Sequence, residues 1–171
     1  IIGNLAEAAA NEIGIDATLV RVGAYYHDVG KIRRAGFFVE NQFGSENPHD
    51  KLNPGISTLI LTSHVKDGVA LCKEYKIPQN IIDIVQQHHG TSSASFFYAK
   101  AISLYGESNV NKDDYRYAGP KPQSKEAAII MIADSCEAAV RSLNNHANAK
   151  IENMVHKIIN QKLNDGQFDE C

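Results

Sequence analysis

The sequence predicts an all-α protein, and three observations carry that expectation. Apolar residues recur at three- and four-residue spacing along nearly the whole chain, and capping residues and glycines punctuate them at helix-length intervals. No segment reads as a convincing strand, and there is no internal repeat.

Ile2, Leu5, Ala9 and Ile13 share one helical face and Gly14 follows as a stop, so residues 1 to 13 form the first helix. Asp16 is a candidate N-cap for a second helix carrying Leu19, Val20, Gly23, Tyr26 and His27, which Gly30 is expected to end. His27 and Asp28 would then lie on its last turn. Residues 33 to 53, with "FGSENPHDKLNP", are too rich in Gly, Asn and Pro for a regular element and predict a long loop.

Asn53-Pro54 is an N-cap followed by proline at the first helical position, opening a helix to about Tyr75 with an expected break near Ser63, beside His64. "QNIIDIVQQHHG" is a short amphipathic helix that ends in His88-His89 with Gly90 as its stop. A helix over about 93 to 106 follows, then the irregular "NVNKDDYRYAGPKP". Ser124 caps the longest helix, 125 to about 146, and a last amphipathic helix spans about 149 to 164 with Ile151, Met154, Val155, Ile158, Ile159 and Leu163 on one face.

At 171 residues, with 43% apolar and 22% charged content, the chain fits a single globular domain over 1 to 171. Its longest uninterrupted apolar run, Ala127 to Ala133, is far below the roughly 18 residues of a membrane span. The net charge of −3 and the absence of a basic stripe exclude a broad surface for duplex nucleic acid. Three widely spaced cysteines, Cys72, Cys136 and Cys171, indicate reduced thiols rather than a disulfide framework or zinc ribbon, which favours a cytoplasmic setting. The chain opens inside a helical pattern and is read as a piece of a longer protein.

Four histidines, His27, His64, His88 and His89, fall at expected helix ends, and Asp28 adjoins the first. Neighbouring side chains on a helix point about 100° apart, so a His-Asp or His-His pair suits two adjacent ions better than one. Imidazole and carboxylate are ligands for divalent iron, manganese or zinc, and paired ions about 3.5 to 4 Å apart serve phosphoester hydrolysis. The alternatives are plain. His88 and His89 can be cations at a helix C-terminus, and Asp134, inside the apolar "IIMIADSCEA", can be half of a buried salt bridge with Arg141 or another helix. His49-Asp50 lies in the Pro- and Asn-rich loop with no helix to orient it and reads as a loop-stabilising pair; His146 and His156 read as solvent-facing.

The order His-Asp, His, His-His, Asp on helices resembles the HD-domain metal-dependent phosphohydrolases. Longer segments narrow the likeness: "NLAEAAA", "RVGAYYHDVGKI", "ENQ", "NPHD", "SHVKDGVALCKEYKIP", "HHGTSSASFFYAKA", "YRYAGPKPQSKEAAIIMIADSCEAAVRSL" and "DGQFDEC" resemble the cytoplasmic HD domain of the bacterial seven-transmembrane HD receptors. That resemblance implies an HD-type helical bundle and a cyclic di-AMP phosphodiesterase producing linear pApA, in a parent protein anchored in the bacterial cell membrane. It implies two divalent ions, iron or manganese, bridged by Asp28: one also held by His27 and Asp134, the other by His64, His88 and His89. A hydroxide shared by the ions would attack phosphorus. The family pattern has one further histidine about three residues before Ile1, and without it weaker occupancy of the first site, or a water substitute, is expected.

Lys31, one turn past His27, is either a phosphate contact and candidate acid or a lysine capping a helix end. Arg116, Lys121 and Lys125 are candidates for a second phosphate, and Asn41, Asn47 and Tyr117 for the borders of the base pockets. Two rivals stay open: another HD-type nucleotide phosphohydrolase, and a cyclic-dinucleotide sensor without turnover.

Overall fold

The computed structural model describes residues 1–42, 44, 46–143 and 147–171. Among these are seven α-helices and no strand, only an isolated bridge between Ser93 and Arg116. The first two helices are α1 (Ile2–Ile13) and α2 (Ala17–Tyr26). Next come α3 (Pro54–Glu74), α4 (Gln79–Gln87) and α5 (Ser95–Tyr105). The last two are α6 (Lys125–Arg141) and α7 (Asn148–Asn164). The expected caps operate: Asp16 accepts from the Leu19 amide at 2.9 Å, Asn53 from Gly55 at 2.8 Å and Ser124 from Ala127 at 3.2 Å.

Small side chains let the helices approach closely. Ala6 and Ala10 of α1, Val20 of α2, Ile84 of α4 and Ala127, Ile130 and Ala133 of α6 form one buried cluster. Cys72, Ile82 and Val85 join α3 to α4, and Ala94, Phe97, Ala101 and Tyr115 form a third cluster around α5. All three cysteines are free thiols. Among the described residues no helix is long and apolar enough to cross a membrane.

The structure corrects four local expectations. Gly30 does not end α2: that helix stops at Tyr26, His27 caps it, and the chain continues past Asp28 as a 3₁₀ stretch, Val29–Phe37. Gly30 is buried where this stretch crosses α3, and a Cβ there would overlap the His64 carbonyl and the Gly68 backbone. The glycine therefore serves the close approach that carries Asp28 to His64. The loop over 33 to 53 is not featureless, since it also contains 3₁₀ turns at Val39–Asn41 and Pro48–Lys51. Helix α3 has no break at Ser63, whose hydroxyl donates to the Ile60 carbonyl inside the helix at 2.8 Å.

Finally, α6 ends at Arg141 rather than near 146, with the Ser142 amide donating to the Ala139 carbonyl and the Leu143 amide to that of Val140; His146 lies outside the described residues. On α7, Ile158 is buried while Leu163 is exposed. His156 is exposed, 4.0 Å from Glu152.

Candidate metal centre

Four helix ends and faces deliver six side chains to one place. His27 sits at the C-terminus of α2 with its Nδ1–H donating to the Ala24 carbonyl at 2.7 Å, so its Nε2 points onward. His64, in the middle of α3, donates from Nδ1 to Leu61 at 2.5 Å, and His88, at the end of α4, donates from Nδ1 to Val85 at 2.8 Å. In each the ring is locked by the carbonyl three residues earlier, and the free Nε2 is presented as a ligand. His64 and His88 are essentially inaccessible and His27 is buried.

Asp28 is the common partner. Its Oδ2 lies 3.2 Å from His27 Nε2, and its Oδ1 lies 3.3 Å from His64 Nε2 and 3.7 Å from His88 Nε2. Asp134, from α6, brings Oδ1 to 3.7 Å from His27 Nε2 and Oδ2 to 3.9 Å from His89 Nδ1. His89 stacks on Tyr117 with centroids 4.2 Å apart and planes at 23°. Two donor groups result, each with its ligand atoms within 4.8 Å of one another: Asp28, His64, His88 and His89; and His27, Asp28 and Asp134.

The electrostatics are those of a site built for cations. Burial works against charge on His27, yet the neighbouring carboxylates of Asp134 and Asp28 outweigh it and push the imidazole up to about 10. Burial likewise opposes ionisation of Asp28 and Asp134, but the imidazoles hold both carboxyls below the usual range, led by His27. His88 and His89 are depressed, by burial first, and His89 also by the neighbouring imidazoles, so both are available as neutral ligands. His27 Nε2 and Asp28 Oδ1 are buried without hydrogen-bond partners, which is the condition of atoms meant for a metal ion.

Two clefts reach the cluster. One of about 340 Å³ touches His27, Asp28, Lys31, Glu40, Asp134 and Arg141. Another of about 580 Å³ includes Leu59, Thr62, Lys66, Val69, His89 and Tyr117 in its walls.

The HD domain family model matches residues 2–139, most of the chain and all six clustered positions. This chain belongs to the HD domain family. Two curated relatives are 52% identical over 171 residues: the cyclic-di-AMP phosphodiesterases PgpH of Bacillus subtilis (strain 168) and of Listeria monocytogenes serotype 1/2a (strain 10403S). Each alignment covers 100% of this chain and 24% of the relative, so the chain spans about a quarter of their length. The crystal structure of the L. monocytogenes PgpH HD domain in complex with cyclic-di-AMP superposes with a TM-score of 0.95 at 52% identity, covering 99% of this chain and 78% of that one. Membership of the HD family implies dependence on a divalent metal, and the two donor groups are where this HD domain has residues that fit one.

The HD domain thus brings together His27, Asp28, His64, His88, His89 and Asp134 as the sequence predicted. The salt bridge between Asp134 and Arg141 does not form; Arg141 pairs with Glu137 at 3.5 Å. Lys31 is also at the site, its Nζ 2.7 Å from Asp28 and 2.6 Å from Glu40, above the Phe38 ring at 5.1 Å. Tyr117 is there as well, though buried against His89 rather than free to stack on a base.

The remaining candidates are otherwise engaged. Asn47 caps the Pro48 turn, accepting from the His49 amide at 3.0 Å and from Gln42 at 3.2 Å, a role that "NPHD" signals on its own terms. Asn41 is exposed on its 3₁₀ turn, outside both clefts. Lys121 faces Asp169 at 3.5 Å, and Lys125 is an exposed first-turn residue of α6. Arg116 borders the larger cleft, but its guanidinium grips Asp165 and the Thr91 carbonyl. His49 is buried between Phe37 and Phe97 with Nε2 donating to the Phe37 carbonyl at 3.0 Å, away from the cluster. Sequence reasoning missed Glu40, whose pairing with Lys31 crosses nine residues of irregular chain with no periodicity to reveal it.

Proposed function

We propose that this HD domain is a metal-dependent phosphodiesterase that hydrolyses cyclic di-AMP to linear pApA, using two divalent transition-metal ions, iron or manganese. The observation that carries the reading is one carboxylate, Asp28, shared by two donor groups. The 52% identity to a domain crystallised with cyclic-di-AMP supports the choice of substrate.

Ions bound at these groups would supply Lewis acidity toward a phosphoryl oxygen and lower the pKa of water. The protein's own part is to hold and orient. Asp28 joins the groups, and the Nδ1 bonds of His27, His64 and His88 fix three rings before substrate arrives. Lys31 is charged at neutral pH: burial opposes the charge, but Asp28 outweighs it and raises the ammonium above its usual value. That cation beside the smaller cleft is a partner for a phosphate oxygen as Asp28 turns to a metal. The apolar walls of the larger cleft, Leu59 and Val69 among them, suit a purine face.

The domain belongs, in this reading, on the cytoplasmic side of a membrane-anchored bacterial protein, which the greater length of the relatives and the free thiols support. The test is elemental analysis of the domain together with chromatography of its products on cyclic di-AMP, cyclic di-GMP and mononucleotides with added manganese. Two ions per chain and pApA are expected. Activity on mononucleotides alone would transfer the domain to another HD-type phosphohydrolase, and tight binding of cyclic di-AMP without product would make it a sensor.

A further inference from the structure

Of the four clustered histidines, His89 lacks the local lock. His27, His64 and His88 each donate Nδ1–H to the carbonyl three residues earlier, whereas among the described residues no ring nitrogen of His89 makes a hydrogen bond. Its orientation must come from the turn that follows and from Tyr117, on which it stacks.

Both supports are held by the C-terminal end of the chain, beyond residue 139 where the family match stops. Gln167 is completely buried. Its Oε1 accepts from the Thr91 amide at 3.0 Å, and its Nε2 donates to Thr91 Oγ1 at 3.0 Å and to Asp165 Oδ2 at 2.8 Å. Both amide protons and the carbonyl oxygen are thereby engaged, two residues past His89.

Arg116 completes the strap, donating to the Thr91 carbonyl at 2.6 Å and to Asp165 at 2.9 and 3.3 Å. The next residue, Tyr117, is registered to the same turn by its amide bond to the Ser92 carbonyl at 2.9 Å. Lys162 adds a bond to Ser92 Oγ at 2.7 Å. The turn leaves no slack: Gly90 has φ +52, and a Cβ there would meet Gln167 Oε1, Met131 and Pro122.

We infer that Gln167, acting with Asp165 and Arg116 through Thr91 and Tyr117, is a positioning residue for His89, so that the C-terminal turn tunes the metal group of Asp28, His64, His88 and His89. This rests on the metal-centre reading above. Partners that orient a metal ligand affect affinity by roughly 10- to 100-fold when removed, and that range is expected here.

The experiment is manganese titration of the metal-stripped domain for wild type, Gln167→Leu, and the double variant Gln167→Glu with Asp165→Asn. The double variant keeps a carboxylate near Arg116 and restores a donor to the pair. Binding is read by calorimetry, with thermal melting of the metal-free forms beside it. The expected result is a manganese affinity lowered roughly tenfold or more in Gln167→Leu, and recovery in the double variant. A lower melting temperature with wild-type manganese affinity would overturn the inference, since that is what a purely structural strap would give. Should Gln167→Leu not fold, Thr91→Val, which removes only the hydroxyl, carries the same comparison: weakened binding supports the inference and wild-type binding refutes it. Wild type that binds no manganese would instead refute the metal-centre reading itself.

Discussion

A proton competes with metal at His27, and the competition sets a measurable pH dependence. In the metal-free protein two carboxylates raise this imidazole from 6.5 to about 10 against the effect of burial. A raised folded-state value contributes stability that is complete below pH 6.5 and is lost as pH rises through 10. A cation needs the neutral ring, so below pH 10 each unit of pH makes the ring about ten times more available. Between pH 6.5 and 8.5 the apparent affinity of the group formed by His27, Asp28 and Asp134 should rise about 100-fold, with about one proton released per ion. His88 and His89, already depressed, add little to this slope. Manganese calorimetry in buffers of different ionisation enthalpy counts the protons directly. Asp134→Asn, which removes the strongest influence raising His27, should shrink the release. Affinity that stays flat over this range, with no proton released, would refute the assignment of His27 as a ligand held between two carboxylates.

Asp28→Ala should lose both ions and all turnover, because it removes the one atom pair common to both groups; His49→Ala should keep wild-type metal content in elemental analysis while losing about 2 to 4 kcal/mol of stability in urea melts, since the ring packs between Phe37 and Phe97. Lys31→Met should retain both ions and lower kcat/KM for cyclic di-AMP about 10- to 100-fold, the loss expected for one charge-assisted phosphate contact; steady-state kinetics with saturating manganese checks it, and loss of metal along with activity would count against a substrate role. Gly30→Ala should fold poorly or not at all, because its new Cβ would overlap the backbone of α3, and circular dichroism of the purified protein reads that outcome.

The helices were legible because their signals are local. Apolar spacing and the caps Asp16, Asn53 and Ser124 depend on residues within one or two turns, and those helices start where the caps put them. The six clustered residues were legible for a different reason: imidazole and carboxylate in one order are a chemical signature, and the longer matching segments narrowed it to one family. The sequence even separated His49-Asp50 from His27-Asp28, because a helix end orients a pair and a Pro-rich turn does not.

The partners of the other candidate residues were not legible in the same way. Asn47 and Arg116 are polar residues near motifs, but the partners that occupy them, Gln42 and Asp165, are fixed only by how the chain returns on itself. Likewise Gly30 looks like a helix stop, and only the crossing of α3 reveals it as a point of contact.

By itself, then, the sequence determined the helical class, the family and the chemical types at the centre, because these follow from spacing and side-chain chemistry. Tertiary structure decided that Lys31 is held by Glu40, and that Gln167 closes over the turn after His89. Those contacts span from nine to 76 residues, and no local pattern encodes which polar groups burial will force to find each other.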